Sequence, residues 1–148
     1  MITFQREIAT WPLCEELKPL LALNNEEVPF LDWIAMAPDF GQYLAAEKAG
    51  LLRVYTAREG DQLVGYQIFS VFIHPHYVPL LCAKCNLLFL LKNFRGHVIG
   101  FMKWTEEQLT ADGVGFITHE NPDGKRVDVL YRRRGYKKFS ELWGKRLE

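Results

Sequence analysis

Leu90-Leu-Lys-Asn-Phe-Arg-Gly-His-Val-Ile-Gly100 grows out of an apolar run, Asn86-Leu-Leu-Phe-Leu-Leu91, and leads into a stretch where Val98, Met102 and Leu109 recur at the helical period. The run is apolar on both faces, as in a central strand covered on two sides. The periodic stretch predicts a helix packed on a sheet, running to Thr110 and stopped at Asp112-Gly113. A strand that ends in a short loop and opens a helix is an anion site, because the first helical N–H groups have no partner in the chain and the helix dipole favours negative charge there. The loop holds Arg95, Gly96 and a helix start at His97–Gly100, with Arg95 or Lys92 to supply positive charge. By themselves these residues specify a phosphate-compatible junction.

On the N-terminal side, Ile2-Thr-Phe-Gln-Arg6 alternates as a half-buried strand does. Thr10 offers an N-cap to a helix that carries Pro12 in its first turn and the stripe Leu13, Leu17, Leu20, Leu21, with Pro19 predicting a kink or split. Pro38-Asp39 opens a second helix that reaches Lys48 and stops at Gly50. Leu52–Ala57 and Leu63–Ile73 read as strands joined by Arg58–Gln62 into an antiparallel hairpin. On the C-terminal side come a strand at Val114–Thr118, a turn at Asn121-Pro-Asp-Gly124, a short helix at Val127–Arg134 ended by Gly135, and Tyr136–Leu147, which begins as a strand. The helix between successive strands of the second half implies a parallel pair, so the sheet is mixed and the class is α/β. With no repeat, linker or low-complexity stretch, residues 1–148 read as one domain.

Composition sets the outer limits. The net charge is zero, but residues 1–91 carry six Lys/Arg against ten Asp/Glu (−4) and residues 92–148 carry twelve against eight (+4). The excess peaks at Lys125, Arg126, Arg132, Arg133, Arg134, Lys137 and Lys138, a patch that would attract a phosphorylated cofactor or nucleic acid. Overall neutrality argues against nucleic acid, although Tyr131 and Tyr136 lie within the patch. No window approaches a membrane span, and the N-terminus lacks the pattern of a signal peptide. Cys14, Cys82 and Cys85 make an odd number, which speaks against a disulfide framework and for a reducing, cytoplasmic setting.

The junction at Leu90–Gly100 resembles the acetyl-CoA signature of the GNAT N-acetyltransferases, an Arg/Gln-x-x-Gly-x-Gly/Ala stretch between strand and helix. Leu130-Tyr-Arg-Arg-Arg-Gly-Tyr136 is similar to a second landmark of that superfamily, a Tyr on a short helix followed by Gly-Phe or Gly-Tyr. The resemblance implies a mostly antiparallel mixed sheet of six to seven strands with helices on both faces. It implies a pyrophosphate loop over Arg95, Gly96, His97, Val98, Ile99 and Gly100, with Lys92 beside it. It also implies main-chain groups at Leu88 and Leu90 lining the acetyl-pantetheine arm, and Tyr131 as the acid that protonates the departing thiolate. The expected reaction moves an acetyl group from acetyl-CoA to a small-molecule or peptide amine. Two positions depart from the pattern: Val98 replaces the first Gly of the signature, and Gly124 stands where an Asn often precedes the Tyr. Gly65-Tyr66, His76-Tyr77 and the Trp104–Leu109 helix with Glu106 and Glu107 further resemble GNAT-like proteins encoded among the virion and head-assembly genes of tailed bacteriophages. That likeness implies an alternative role as a non-catalytic virion, head-assembly or DNA-ejection component, with phage structural proteins as partners.

Acetyl transfer also needs a base for the amine, for which Glu120, His119, His74, His76 and His97 are the candidates, Glu120 first among them. His74, His76, Cys82 and Cys85 are a possible zinc set by residue type. A single C-x-x-C beside an apolar strand is ordinary for buried free thiols, so no metal is expected.

Overall fold

The hairpin predicted around residue 60 is the spine of a five-stranded sheet, ordered β1-β2-β3-β4-β5. The computed structural model describes residues 1–28, 36–121 and 127–147. The strands are β1 (Ile2–Glu7), β2 (Leu52–Glu59), β3 (Gln62–Ile73), β4 (Leu81–Leu90) and β5 (Phe116–Thr118). The first four pair antiparallel, and β5 joins β4 in parallel, as a crossover connection requires. Gly60, at φ +58°, opens the two-residue turn between β2 and β3, a conformation a side chain would disfavour.

Helices α1 (Trp11–Glu27) and α2 (Phe40–Lys48) cover one face, and α3 (Val98–Ala111) covers the other. Thr10 caps α1 by accepting the Leu13 N–H at 3.3 Å, and Asp39 caps α2 through the Gln42 N–H. The stripe Leu13, Cys14, Leu17, Leu20 and Leu21 is buried against Val54, Tyr66, Ile68 and Phe89. Pro19 does not split α1, which runs through it. On the opposite face Phe101 and Leu109 of α3 meet Tyr55, Phe69 and Val71, and Phe4 stacks on Phe101 at 4.8 Å. A buried hydrogen bond of 2.8 Å from the Gln67 amide to the Thr105 hydroxyl fixes α3 to β3. Arg58 binds Glu7 and Glu16, tying β2 to β1 and α1.

β4 contains a one-residue bulge. Cys85 pairs with Phe69 and Leu87 with Ile68, leaving Asn86 without a partner. Before the bulge Ala83 and Cys85 face α3; after it Leu88 and Leu90 do, while Leu87 and Phe89 turn to the α1 face.

The family resemblance implies six to seven strands, whereas the described residues form five. The missing member is Tyr136–Leu147. A short helix α4 (Asp128–Arg133) ends at Gly135, with φ +84°, and the chain beyond it enters no strand. Its apolar residues Phe139, Leu142, Trp143 and Leu147 do not alternate, so no face of a strand would bury them together, and all four are exposed. The predicted turn at Asn121–Gly124 and the departure at Gly124 fall largely outside the described residues. Among the described residues no helix is long and apolar enough to cross a membrane.

Candidate functional site

β5 pairs along its whole length but covers only the first part of β4. Pairing runs from Cys82–Phe116 to Lys84–Thr118, where β5 ends while β4 continues to Leu90. The second half of β4 therefore has no strand beside it on the β5 side among the described residues. The Leu91 N–H donates to the Val64 carbonyl at 2.8 Å, so by alternation the main-chain groups of Leu90 and Leu88 point away from β3, toward the side β5 has left. The bulge at Asn86 makes this possible. Were Asn86 instead paired regularly with Ile68, Leu87 and Phe89 would hold those positions.

The junction beyond Leu90 differs from its sequence prediction in one respect. Lys92–His97 is a 3-10 helix that runs directly into α3, and the Val98 N–H is already bonded to the Arg95 carbonyl. The helical run thus opens at Lys92 rather than at His97. Spacing explains the shift: Leu91 and Phe94, three residues apart, both pack on the α3-side core, and three residues per turn is the 3-10 repeat. Val98 packs its half-buried isopropyl group on that same core. Gly96 and Gly100 are exposed; an added Cβ would meet nothing within 4 Å at Gly96 and only Phe4 at 3.9 Å at Gly100. The outer surface of the loop therefore has room for a ligand. Lys92 and His97 are exposed, and Ile99 is half-buried.

Arg95 is already engaged. Its Nε donates to the Leu90 carbonyl at 3.1 Å, and its Nη2 lies 2.7 and 2.5 Å from the two carboxylate oxygens of Glu27, the last residue of α1. The guanidinium stands 5.8 Å from the centre of the Phe89 ring. Nothing in the sequence pairs residues 27 and 95, and only the fold brings them together.

Just past the end of β5, Tyr131 of α4 donates its hydroxyl to the Glu120 carbonyl at 2.5 Å. Its ring contacts His119 (5.1 Å) and Tyr136 (6.0 Å); His119 also meets Tyr136 (5.0 Å) and Phe69 (5.8 Å). Burial pushes the Tyr131 and Tyr136 hydroxyls well above the usual phenol range and lowers the His119 imidazole to about 4. Both phenols stay protonated and the imidazole stays neutral near pH 7. Tyr136 donates to Glu106 at 3.1 Å, and Arg134 binds the same carboxylate at 2.5 Å, which clamps α4 onto α3. The Glu120 carboxylate faces Lys84 across the two strands at 3.2 Å.

The remaining candidates lie elsewhere. His74 and His76 sit in the β3–β4 turn, at the opposite end of β4 from Leu90, where the His74 Nδ1 accepts the His76 N–H at 3.1 Å. Cys82 and Cys85 are both buried, yet three residues apart on an extended strand they stand on opposite faces of the sheet, so one ion cannot take both. Much of the basic patch is internally neutralised: Arg134 by Glu106, Arg132 by Asp128 and Lys138 by Glu141. Lys125 and Arg126 lie outside the described residues.

No family model matches the chain, and no curated protein matches it in sequence. Solved structures do match the fold. An aminoglycoside acetyltransferase, meta-AAC0020, from an uncultured soil metagenomic sample and bound to sisomicin, superposes with a TM-score of 0.78 at 14% identity, covering 99% of this chain and 97% of that one. The ribosomal-protein-alanine N-acetyltransferase of Brucella melitensis biovar Abortus 2308 gives 0.74 at 15% identity over 100% of both chains. A predicted acetyltransferase from Clostridium acetobutylicum, solved with acetyl-CoA, gives 0.70 at 12% identity over 99% of this chain and 96% of that one. The architecture is therefore the GNAT fold. The resemblance to phage-encoded proteins rests on the sequence pattern alone.

Proposed function

We propose that this chain is an N-acetyltransferase that binds acetyl-CoA beside the second half of β4, on the β5 side, and passes the acetyl group to an amine. One observation carries the reading. β5 ends at Thr118, opposite Lys84, so the Leu88 and Leu90 main-chain groups on that edge of β4 have no strand beside them among the described residues, and the Tyr131 hydroxyl is held just beyond the end of β5. Acetyl-CoA supplies a thioester whose carbonyl carbon is open to attack by an amine lone pair. The main-chain groups of Leu88 and the Leu90 N–H are suited to hydrogen-bond the extended arm of such a cofactor as a neighbouring strand would, while the Leu90 carbonyl holds Arg95. Arg95 supplies charge for the diphosphate, and Gly96 and Gly100 leave its approach clear. As the carbon–sulfur bond breaks, the thiolate needs a proton. Tyr131, held protonated by burial, provides it by releasing the Glu120 carbonyl. The amine must lose a proton to attack, and Glu120, which follows β5 and pairs with Lys84, is the acidic candidate for that task.

Calorimetry with acetyl-CoA tests the binding half of this proposal. Saturable heat is expected, with affinity weakened about tenfold by Arg95→Gln, the loss of one charge-assisted contact. Absence of heat at millimolar ligand in folded protein refutes it. For the chemical half, Tyr131→Phe lowers thiol release from acetyl-CoA in the presence of a reactive amine by about 100-fold, with Kd for acetyl-CoA unchanged. An unchanged rate removes Tyr131 from the mechanism.

A further inference from the structure

We propose that Glu27 is an internal stand-in for the diphosphate: its carboxylate holds the Arg95 guanidinium until a phosphate displaces it. This inference rests on the cofactor site proposed above and goes beyond it, since it makes a residue of α1 a determinant of cofactor affinity. A guanidinium donates to a carboxylate as it does to a phosphate, and both Glu27 oxygens converge on the single nitrogen Nη2, so Glu27 takes a donor that a diphosphate would use. The rest of Arg95 is anchored independently, its Nε on the Leu90 carbonyl and its plane near Phe89. The guanidinium can therefore change partners at Nη2 without leaving the site. Each side chain of the pair is 45% exposed, so water and ions already compete with the contact and exchange is cheap.

Glu27 also has a reason to need Arg95. It is the last residue of α1, directly after Glu26, and no basic residue occupies that last turn. Two carboxylates at the negative end of a helix dipole are unfavourable, and Arg95 offsets one of them. Transfer of Arg95 to a phosphate leaves that end of α1 uncompensated. Diphosphate binding on one side of the sheet edge is thereby linked to the stability of the last turn of α1 on the other.

The test is a double-mutant cycle read by calorimetry with acetyl-CoA and, separately, with inorganic pyrophosphate. Glu27→Gln is expected to tighten binding of both ligands about fivefold, the equivalent of about 1 kcal/mol at about 1.4 kcal/mol per decade. In an Arg95→Gln background the same substitution is expected to do nothing. Hydrogen exchange of the last α1 turn in the wild-type protein should accelerate on addition of pyrophosphate. Binding unchanged or weakened by Glu27→Gln overturns the proposal, as does equal tightening in both backgrounds, which would mark a general charge effect. Pyrophosphate that behaves as expected while acetyl-CoA fails to bind leaves the exchange standing and removes the acyl-transfer reading. If neither ligand binds any variant, both proposals fall.

Discussion

His119 gives the sharpest physical test of the cluster around Tyr131. Its imidazole is enclosed by Phe69, Tyr131 and Tyr136, and burial lowers its pKa from 6.5 to about 4. In the unfolded chain the ring takes up its proton near pH 6.5; in the folded chain it does so only near pH 4. Between those values the unfolded state binds more protons, so folding stability falls as pH falls through that window and is restored as pH rises. Each pKa unit is worth about 1.36 kcal/mol, so the gap of 2.5 units (6.5 − 4) amounts to about 3 kcal/mol. Urea denaturation at intervals from pH 7 to pH 4 measures it, with His119→Phe keeping an aromatic ring and losing the titration. The wild-type protein should lose about 3 kcal/mol more than the variant over that range. Titration of the His119 ring protons by NMR reads the same quantity directly. A ring that titrates near 6.5, or identical pH slopes for the two proteins, refutes the buried, neutral imidazole.

Three further outcomes follow from packing and charge. A Cβ on Gly65 would lie 2.3 Å from Leu90 Cδ2 and 2.7 Å from the Phe89 carbonyl oxygen, so Gly65→Ala should cost about 1–3 kcal/mol in chemical denaturation and shift the Leu88 and Leu90 amide resonances. The Tyr55 hydroxyl is buried without a hydrogen-bond partner among the described residues; Tyr55→Phe should leave the melting temperature unchanged or raise it, by up to about 1 kcal/mol of stability. Burial alone would raise the pKa of Glu7, but Arg58 and Thr56 overcome it and hold the carboxyl below its usual value. Its contribution is complete above the unfolded pKa of about 4.5 and vanishes as pH falls through the lower folded value, so wild type and Glu7→Gln should converge in stability only under acid conditions.

Local chemistry made much of the fold legible in the sequence. Thr10, Asp39, Gly50 and Gly113 mark helix ends by capping and backbone freedom, and periodicity separates α3 from the strands on either side. The parallel β4–β5 pair follows from the helix between them. What escaped was set by distant partners. The 3-10 start at Lys92 depends on Leu91 and Phe94 finding one core, and the Glu27–Arg95 pair joins residues 68 apart. Likewise, the clamp of Glu106 on Arg134 and Tyr136 has no local signature. The C-terminal segment shows the converse error. Tyr136 looks like the start of a strand, but the residues after it lack the alternation that would hold one in a sheet.

The unpaired Asn86 in β4 acts as a phase slip, much like a dislocation in a crystal row. Upstream of it, odd-numbered residues key into α3; downstream, even-numbered ones do, so one strand obeys two incompatible counting rules. A relative without such a bulge would align with β4 only in two separate registers. Deleting that single asparagine would join Cys85 directly to Leu87 and merge the two rules into one regular alternation, with Leu88 and Leu90 keeping their places beside α3.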